Sequence, residues 1–199
     1  PYSAAPFRSP DPELLASLAV HPRQYLLVIA RLEPENNIEM MLEGYGQSNC
    51  TAPLLIVGNI ATRYGAKLLQ QAKKYKGIRF LGAIYNQPLL DNLRYYSILY
   101  LHGHSVGGTN PSLLEAMACQ CNLLAHDNVF NRAVLGEHAG YFASAGALSR
   151  QLNLQVQFEA NKAHIRANLE KLQTIFHPAN ITSRYEHLFY EVTGIAAEG

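Results

Sequence analysis

The chain reads as an α/β protein built on a doubly wound parallel sheet. Six short apolar runs, at residues 25–30, 54–57, 78–81, 98–101, 123–125 and a briefer one at 141–143, alternate with segments of helical spacing. That alternation implies βαβ units. The runs are apolar throughout instead of polar at every second residue, as strands covered on both faces require.

The elements follow in order. Pro1, Pro6, Pro10 and Pro12 mark residues 1–22 as a linker and lead-in helix. The first strand, 25–30, ends at Arg31, and Asn36 or Asn37 caps a helix carrying Ile38, Met41, Leu42 and Tyr45 on one face. Strand 54–57 runs into Gly58 and Asn59, then a helix with Leu68, Leu69, Ala72 and Tyr75. Strand 78–81 opens a loop from Gly82 to Asn86. Strand 98–101 opens a longer one from His102 to Pro111, where Asn110 suits an N-cap and Pro111 the first helical position. Leu113, Leu114, Met117 and Ala118 carry that helix, and strand 123–125 opens a loop from His126 to Asn131. Beyond it, Ile165, Leu169 and Leu172 mark one amphipathic helix. Pro178 breaks the chain, and Ile181, Tyr185, Leu188, Phe189 and Val192 mark a second helix ended by Gly194.

Composition narrows the function classes. A chain of 199 residues is long enough for one domain with a full core. With 48% apolar and 16% charged residues it belongs with soluble globular proteins. A net charge of +1 gives no general attraction for nucleic acid, so any anion site must be built locally. Cys50, Cys119 and Cys121 cannot all pair internally, which reads as a reducing, cytoplasmic compartment. No run reaches membrane-spanning length and no signal peptide is visible. The Pro1 start and the linker-like opening suggest a piece of a longer protein.

In open α/β sheets ligands bind beyond the carboxyl ends of the strands, so the loops after strands carry the chemistry. The most informative is Gly107-Gly108-Thr109-Asn110-Pro111-Ser112-Leu113-Leu114-Glu115. The glycine pair lets backbone approach a ligand closely, and the helix N-terminus behind it suits a phosphate. A well-started helix explains Asn110 and Pro111. It does not explain two glycines, nor Glu115 in an apolar helix start, where a carboxylate can accept hydrogen bonds from sugar hydroxyls. Arg31, at the end of the first strand, either grips a diphosphate with its planar fork or pairs on the surface with Glu33 or Glu35; the residues alone leave both open. A nucleobase needs an apolar slot and a backbone edge. Ile84 offers the edge and Tyr85 a ring, although Tyr85 alone reads as packing in a chain with 12 tyrosines. His102, His104 and His126 invite a metal, but Asp127 is the lone further ligand at useful spacing, so they read as lining the loop. Cys119 and Cys121 read as core packing. The chain carries neither a glycine-rich dinucleotide fingerprint nor a P-loop, and no nucleophile elbow.

Several segments in order resemble one family. Val28-Ile29-Ala30-Arg31-Leu32, Gly58-Asn59, Phe80-Leu81-Gly82, the stretch from His102 to Ala118, and His126-Asp127-Asn128 through Gly136 are similar to the donor domain of group 1 (GT4-like) glycosyltransferases, the C-terminal, Rossmann-like half of a GT-B fold. The wording His104-Ser105-Val106-Gly107-Gly108-Thr109-Asn110-Pro111-Ser112 is similar to the bacterial rhamnosyltransferase-like (DUF1972) branch. The resemblance implies a nucleotide-sugar-binding domain over 23–160 and C-terminal helices over 161–199 packing toward an absent N-terminal domain. It implies a diphosphate held by Arg31, Asn36, Gly107, Gly108, Thr109, Ser112 and Leu113, a ribose on Glu115, and a base against Ile84 and Tyr85. His104, Ser105, Thr109 and Asn110 would lie near the transferred sugar.

No resident cofactor is implied. The nucleotide sugar, a dTDP, UDP or GDP sugar with dTDP-rhamnose the branch's suggestion, is a co-substrate, and a saccharide or lipid-linked acceptor is the other partner. The expected activity is hexosyl transfer with retention, at the cytoplasmic face where a membrane is involved, and inactive in this piece alone. Three positions depart from the family pattern. Gly107 stands where a first glutamate is usual, Asn36 where a lysine often partners the arginine, and Ala133 where a glutamate is common. The rival readings are a non-catalytic α/β ligand-binding or interaction module and a GT-B-fold nucleotide-sugar epimerase; a phosphorylase lacks a suggestive lysine.

Overall fold

The computed structural model describes residues 2–155 and 162–194. Six parallel strands form one sheet in the order β3-β2-β1-β4-β5-β6. They are β1 Leu26–Ile29, β2 Leu54–Val57, β3 Ile78–Gly82, β4 Leu99–His102, β5 Leu123–His126 and β6 Gly140–Phe142. Each of the six expected runs holds a strand, shifted by at most a residue or so. β1 pairs with β2 from Leu26 opposite Leu54 to Ile29 opposite Val57, and with β4 from Leu26 opposite Leu99. β2 and β4 are buried along their whole length, as the unbroken apolar sequence of β2 and of β4 up to His102 requires.

Side chains alternate between the two faces and assign the layers. Leu27, Leu55, Val57, Tyr100, Leu123 and Ala125 face one core, shared with α3 (Gln87–Tyr95), α4 (Pro111–Ala118), α5 (Val129–Leu135) and α7 (Lys162–Thr174). Leu26, Val28, Leu54, Ile56, Leu101 and Leu124 face the other, shared with α1 (Ile38–Gly46), α2 (Arg63–Ala72) and α6 (Ala145–Gln155). Gly44 lets α1 and α6 touch: a Cβ there would stand 2.8 Å from the Ala145 carbonyl and from Leu148. Lys171 on α7 donates to the Leu135 and Val134 carbonyls, at 2.6 and 3.2 Å, and so closes the C-terminal end of α5.

Several local expectations are corrected. α3 and α6 lie where no helix was expected, and the loop after β5 is shorter than expected because Asn128 caps α5 with bonds from the Phe130 and Asn131 N–H groups. Asn37 holds the capping position of α1 but its side chain caps nothing; it donates to the Gly103 carbonyl at 2.7 Å. Pro178 opens α8 (Pro178–Thr193) directly behind the cap His177, so the break is also a start, and Gly194 ends that helix in the left-handed region. The opening segment contains a 3-10 helix, Pro12–Leu18, whose Leu15 lies in the core beside α3. The boundary expected between 160 and 161 lies outside the described residues. Among the described residues no helix is long and apolar enough to cross a membrane.

Candidate functional site

β1 has β2 on one side and β4 on the other, so the chain's winding reverses between β1 and β4. The crevice beyond their carboxyl ends is where such sheets take ligands. It holds a cavity of about 430 Å³, floored by Val28 and Ile29 of β1 with Ala30 and Arg31 after them, and by Leu101 and His102 of β4 with Gly103 and His104 after them. Asn36, Gln87, Arg94, Asn110, Ser112 and Glu115 complete its walls.

The loop between β4 and α4 forms one rim. Gly107 sits at φ +75°, a left-handed conformation open to glycine without strain, and no atom lies within 4 Å of where its Cβ would be. Asn110 caps α4 as expected, its side chain accepting from the Ser112 N–H at 2.9 Å. The Leu113 N–H is taken by the Asn110 carbonyl, and Pro111 has none. The first turn of α4 is therefore nearly satisfied from within, contrary to the expectation of open donors there. In the loop just before it, the N–H groups of Gly107, Gly108 and Thr109 have no protein acceptor among the described residues, and these three residues do not themselves line the cavity. The Ser112 hydroxyl is likewise engaged, between Tyr100 Oη at 2.7 Å and the Ile29 carbonyl at 3.2 Å.

The opposite rim belongs to the segment after β1. The Arg31 side chain is 81% exposed and touches Glu35 only at 3.9 Å, so it is free to swing over the cavity. Asn36 is buried. Its amide donates to the Arg31 carbonyl at 2.8 Å, which turns Oδ1 toward His104 Nδ1 at 2.9 Å. That arrangement puts the imidazole proton on Nδ1 and leaves Nε2 as the acceptor. Ser105 donates both its N–H and its hydroxyl to the Glu35 carbonyl, each at 2.9 Å, fastening the two rims together. Gly103 makes this closeness feasible, since a Cβ there would stand 2.1 Å from the Asn36 carbonyl oxygen. Asn128 and Asn131 each donate to the His104 carbonyl at 3.0 Å and tie in the loop after β5. Sequence reasoning missed both asparagines.

His102 lies on the cavity floor, 4% exposed. Burial pushes its pKa down to about 3, and neighbouring His104 and His126 add to this, so the ring is neutral across the physiological range. Burial pulls His126 down as well. Among the described residues no group of three or more His, Cys, Asp or Glu is placed to hold a metal ion. Cys119 and Cys121 are buried free thiols, and burial pushes both thiol pKa values up, Cys121 to about 12.

Glu115 stands at the cavity wall with its side chain 38% exposed. One carboxylate oxygen, Oε2, accepts from Arg94 Nη2. Arg94 is 2% exposed and its Nη1 also meets Asp91 at 3.2 Å. Sequence reasoning missed this arginine. Its signal was a charged Asp91–Arg94 pair, three residues apart, amid Leu89, Leu90 and Leu93. Ile84 and Tyr85 do not line the same cavity. They line an adjoining one of about 360 Å³, which shares Ile29, Ala30 and Arg31 with the first. There Tyr85 is 89% exposed and Ile84 packs against the core.

Against known proteins, residues 13–172 match the family described as glycosyl transferases group 1. No curated protein sequence matches. Solved structures do. A trehalose-phosphate synthase (UDP-forming) from Burkholderia vietnamiensis is 12% identical with a TM-score of 0.75, over 90% of this chain and 47% of that one. A glycosyltransferase from Rickettsia africae is 12% identical with a TM-score of 0.76, over 92% and 52%. The chain thus spans about half the length of these two. The C-terminal domain of a group 1 family glycosyl transferase from Francisella tularensis is covered to 95%, from 91% of this chain, at 16% identity and a TM-score of 0.63. These likenesses show the fold, and the six-stranded parallel sheet with helices on both faces is that of the C-terminal domain of GT-B glycosyltransferases. With 160 of its 199 residues inside the matched region, the chain belongs to the glycosyl transferases group 1 family.

Proposed function

We propose that the switch-point crevice binds the nucleotide diphosphate of a sugar donor, and that the chain is the donor-binding half of a hexosyltransferase. One observation carries this reading. A single strand-end cavity is lined by an exposed guanidinium (Arg31), the capped start of α4 (Asn110, Pro111, Ser112) and a partly exposed carboxylate (Glu115), and the chain reaches that helix start through the loop whose Gly107, Gly108 and Thr109 N–H groups have no protein acceptor. The cation and the N–H groups suit the diphosphate, each charge-assisted hydrogen bond contributing about 1.5–3 kcal/mol. The carboxylate suits the ribose hydroxyls. Ile84 and Tyr85 in the adjoining cavity serve the base. His104, Ser105, Thr109 and Asn110 lie near the transferred sugar, with Asn36 fixing the His104 tautomer.

In sugar transfer the anomeric C–O bond breaks and negative charge grows on the departing diphosphate. Arg31, swung over the crevice, and the Gly107–Thr109 N–H groups stabilise that charge. Retention at the anomeric carbon, and an acceptor saccharide or lipid-linked acceptor held on another domain, come from the family resemblance. So does dTDP-rhamnose as donor; the UDP-forming Burkholderia neighbour puts UDP beside it. Gly107, where the family usually has a glutamate, removes one carboxylate from the sugar's surroundings.

The test is calorimetric titration of the chain with UDP, GDP, dTDP and the matching nucleosides. One diphosphate is expected to bind above the others, and Arg31→Ala to weaken the diphosphate much more than the nucleoside. A chain that binds none of them, or an Arg31→Ala variant with unchanged affinity, overturns the reading.

A further inference from the structure

We infer that Arg94 is a positioning residue for the nucleotide, holding the Glu115 carboxylate in the orientation that meets the ribose hydroxyls. The inference rests on the donor-binding reading and adds a residue that touches no ligand itself. A guanidinium 2% exposed has lost almost all its water, and such burial is tolerated where carboxylates answer it. Arg94 has two, Asp91 at 3.2 Å on its own helix and Glu115 on α4, twenty-one residues away in sequence. The two are not equivalent. Asp91 lies one turn from Arg94 and does not line the crevice, whereas Glu115 and Arg94 both line it. Only one oxygen of Glu115 takes a protein hydrogen bond, so on a partly exposed side chain at the cavity wall Oε1 and the remaining lone pairs of Oε2 are left to accept from a ligand. The flexible glutamate thereby loses its rotamer freedom before any ligand arrives, which lowers the entropy cost of binding. The Arg94 Nε–H is buried with no partner, so among the described residues its side-chain partners are the two carboxylates. A lysine cannot replace this planar fork, which serves two carboxylates at once.

The test compares two ligands of one protein. The nucleoside diphosphate that binds best is titrated beside its analogue lacking the ribose hydroxyls, against wild type, Arg94→Lys, Arg94→Met, Glu115→Ala and Glu115→Ala with Arg94→Lys. Wild type is expected to prefer the hydroxylated ligand by about tenfold or more, the worth of a charge-assisted hydrogen bond. That preference is expected to fall toward unity in Arg94→Lys, which keeps the charge and the fold, and in Glu115→Ala. The double variant should then lose nothing further. A merely structural arginine weakens both ligands alike and leaves their ratio intact; that result, or an unchanged Arg94→Lys, overturns the inference while leaving donor binding standing. Failure of both Arg94 variants to fold assigns the pair to the fold and overturns it too. A wild type that binds no nucleoside diphosphate refutes the donor reading itself, and this inference with it.

Discussion

His102 illustrates how much one side chain at this crevice governs. Its ring is folded away neutral, with Nε2 unpartnered, at the end of β4. An unfolded chain protonates the same histidine near pH 6.5. The folded pKa near 3 lies below that value, so the unfolded state binds more protons throughout the interval between them. Stability contributed by neutral His102 is therefore complete above pH 6.5 and is lost progressively as the pH falls toward 3. Asp127 and Glu39, whose carboxyls are held below their usual range by hydrogen bonds from Arg132 and Lys67, lose stability in acid as well. The His102 share is thus read as a difference. His102→Leu should show a flatter decline of Tm between pH 6.5 and 4 than wild type; parallel curves would mean that His102 is not the buried neutral base described. Gly103, the next residue, acts by absence of a side chain. Gly103→Ala drives a methyl group into the Asn36 carbonyl, and an overpacked site of this kind costs about 1–3 kcal/mol. Urea denaturation should show that loss. The same displacement disturbs the Asn36–His104 contact, so nucleotide affinity should fall in the variant as well.

The caps decide how whole elements meet the site. Asn110 contributes only its bond to the first turn of α4, so Asn110→Ala should cost about 1 kcal/mol in urea denaturation, an ordinary N-cap loss. Asn128 caps α5 and also donates to the His104 carbonyl, so Asn128→Ala should cost clearly more. Equal losses would mean that the tie between the two loops contributes nothing. The contrast bears on what a sequence can show. The strands were legible because both sheet faces are covered, which makes every residue of β2, and every residue of β4 before His102, apolar. Asn110 was legible because a cap, a proline and an apolar helix follow one another locally. α6 was not, because its buried contacts rest on Leu148 and Leu152, one turn apart, meeting a glycine in α1. Arg94 was not, because its meaning depends on Glu115, brought to it by the packing of α3 on α4. Asn37 misled for the same reason: its tertiary acceptor, the Gly103 carbonyl, outcompetes the local cap. Arg31, Glu115 and the glycine loop could be picked as strand-end residues, but the convergence of Arg31 and Glu115 on one cavity, with the glycine loop outside its lining, and the diversion of Ile84 and Tyr85 to its neighbour are properties of the folded crevice.

At the scale of the molecule, the features left unbalanced lie on α8. Only Ile181 of that helix is buried, while Leu188, Phe189 and Val192 are each more than half exposed, with Tyr185 and Tyr190 beside them. Large apolar side chains exposed together on one helix of a folded domain suit a surface that a partner covers. The chain also spans about half the length of the trehalose-phosphate synthase and the Rickettsia glycosyltransferase that it matches over nine-tenths of its own. Donor binding needs only the crevice. Sugar transfer also needs an acceptor brought to the anomeric carbon. We therefore expect this chain alone to bind its nucleotide and transfer no sugar, and transfer to appear when it is joined to an N-terminal acceptor half. Replacing Leu188 and Phe189 together by serine should reduce turnover of the joined protein while leaving nucleotide affinity in the isolated chain unchanged, because neither residue lines the crevice. Turnover and affinity measured on the same variants separate the two roles. Brisk transfer by the chain alone would place acceptor binding within these residues, and an unaffected serine variant would remove α8 from the contact between halves.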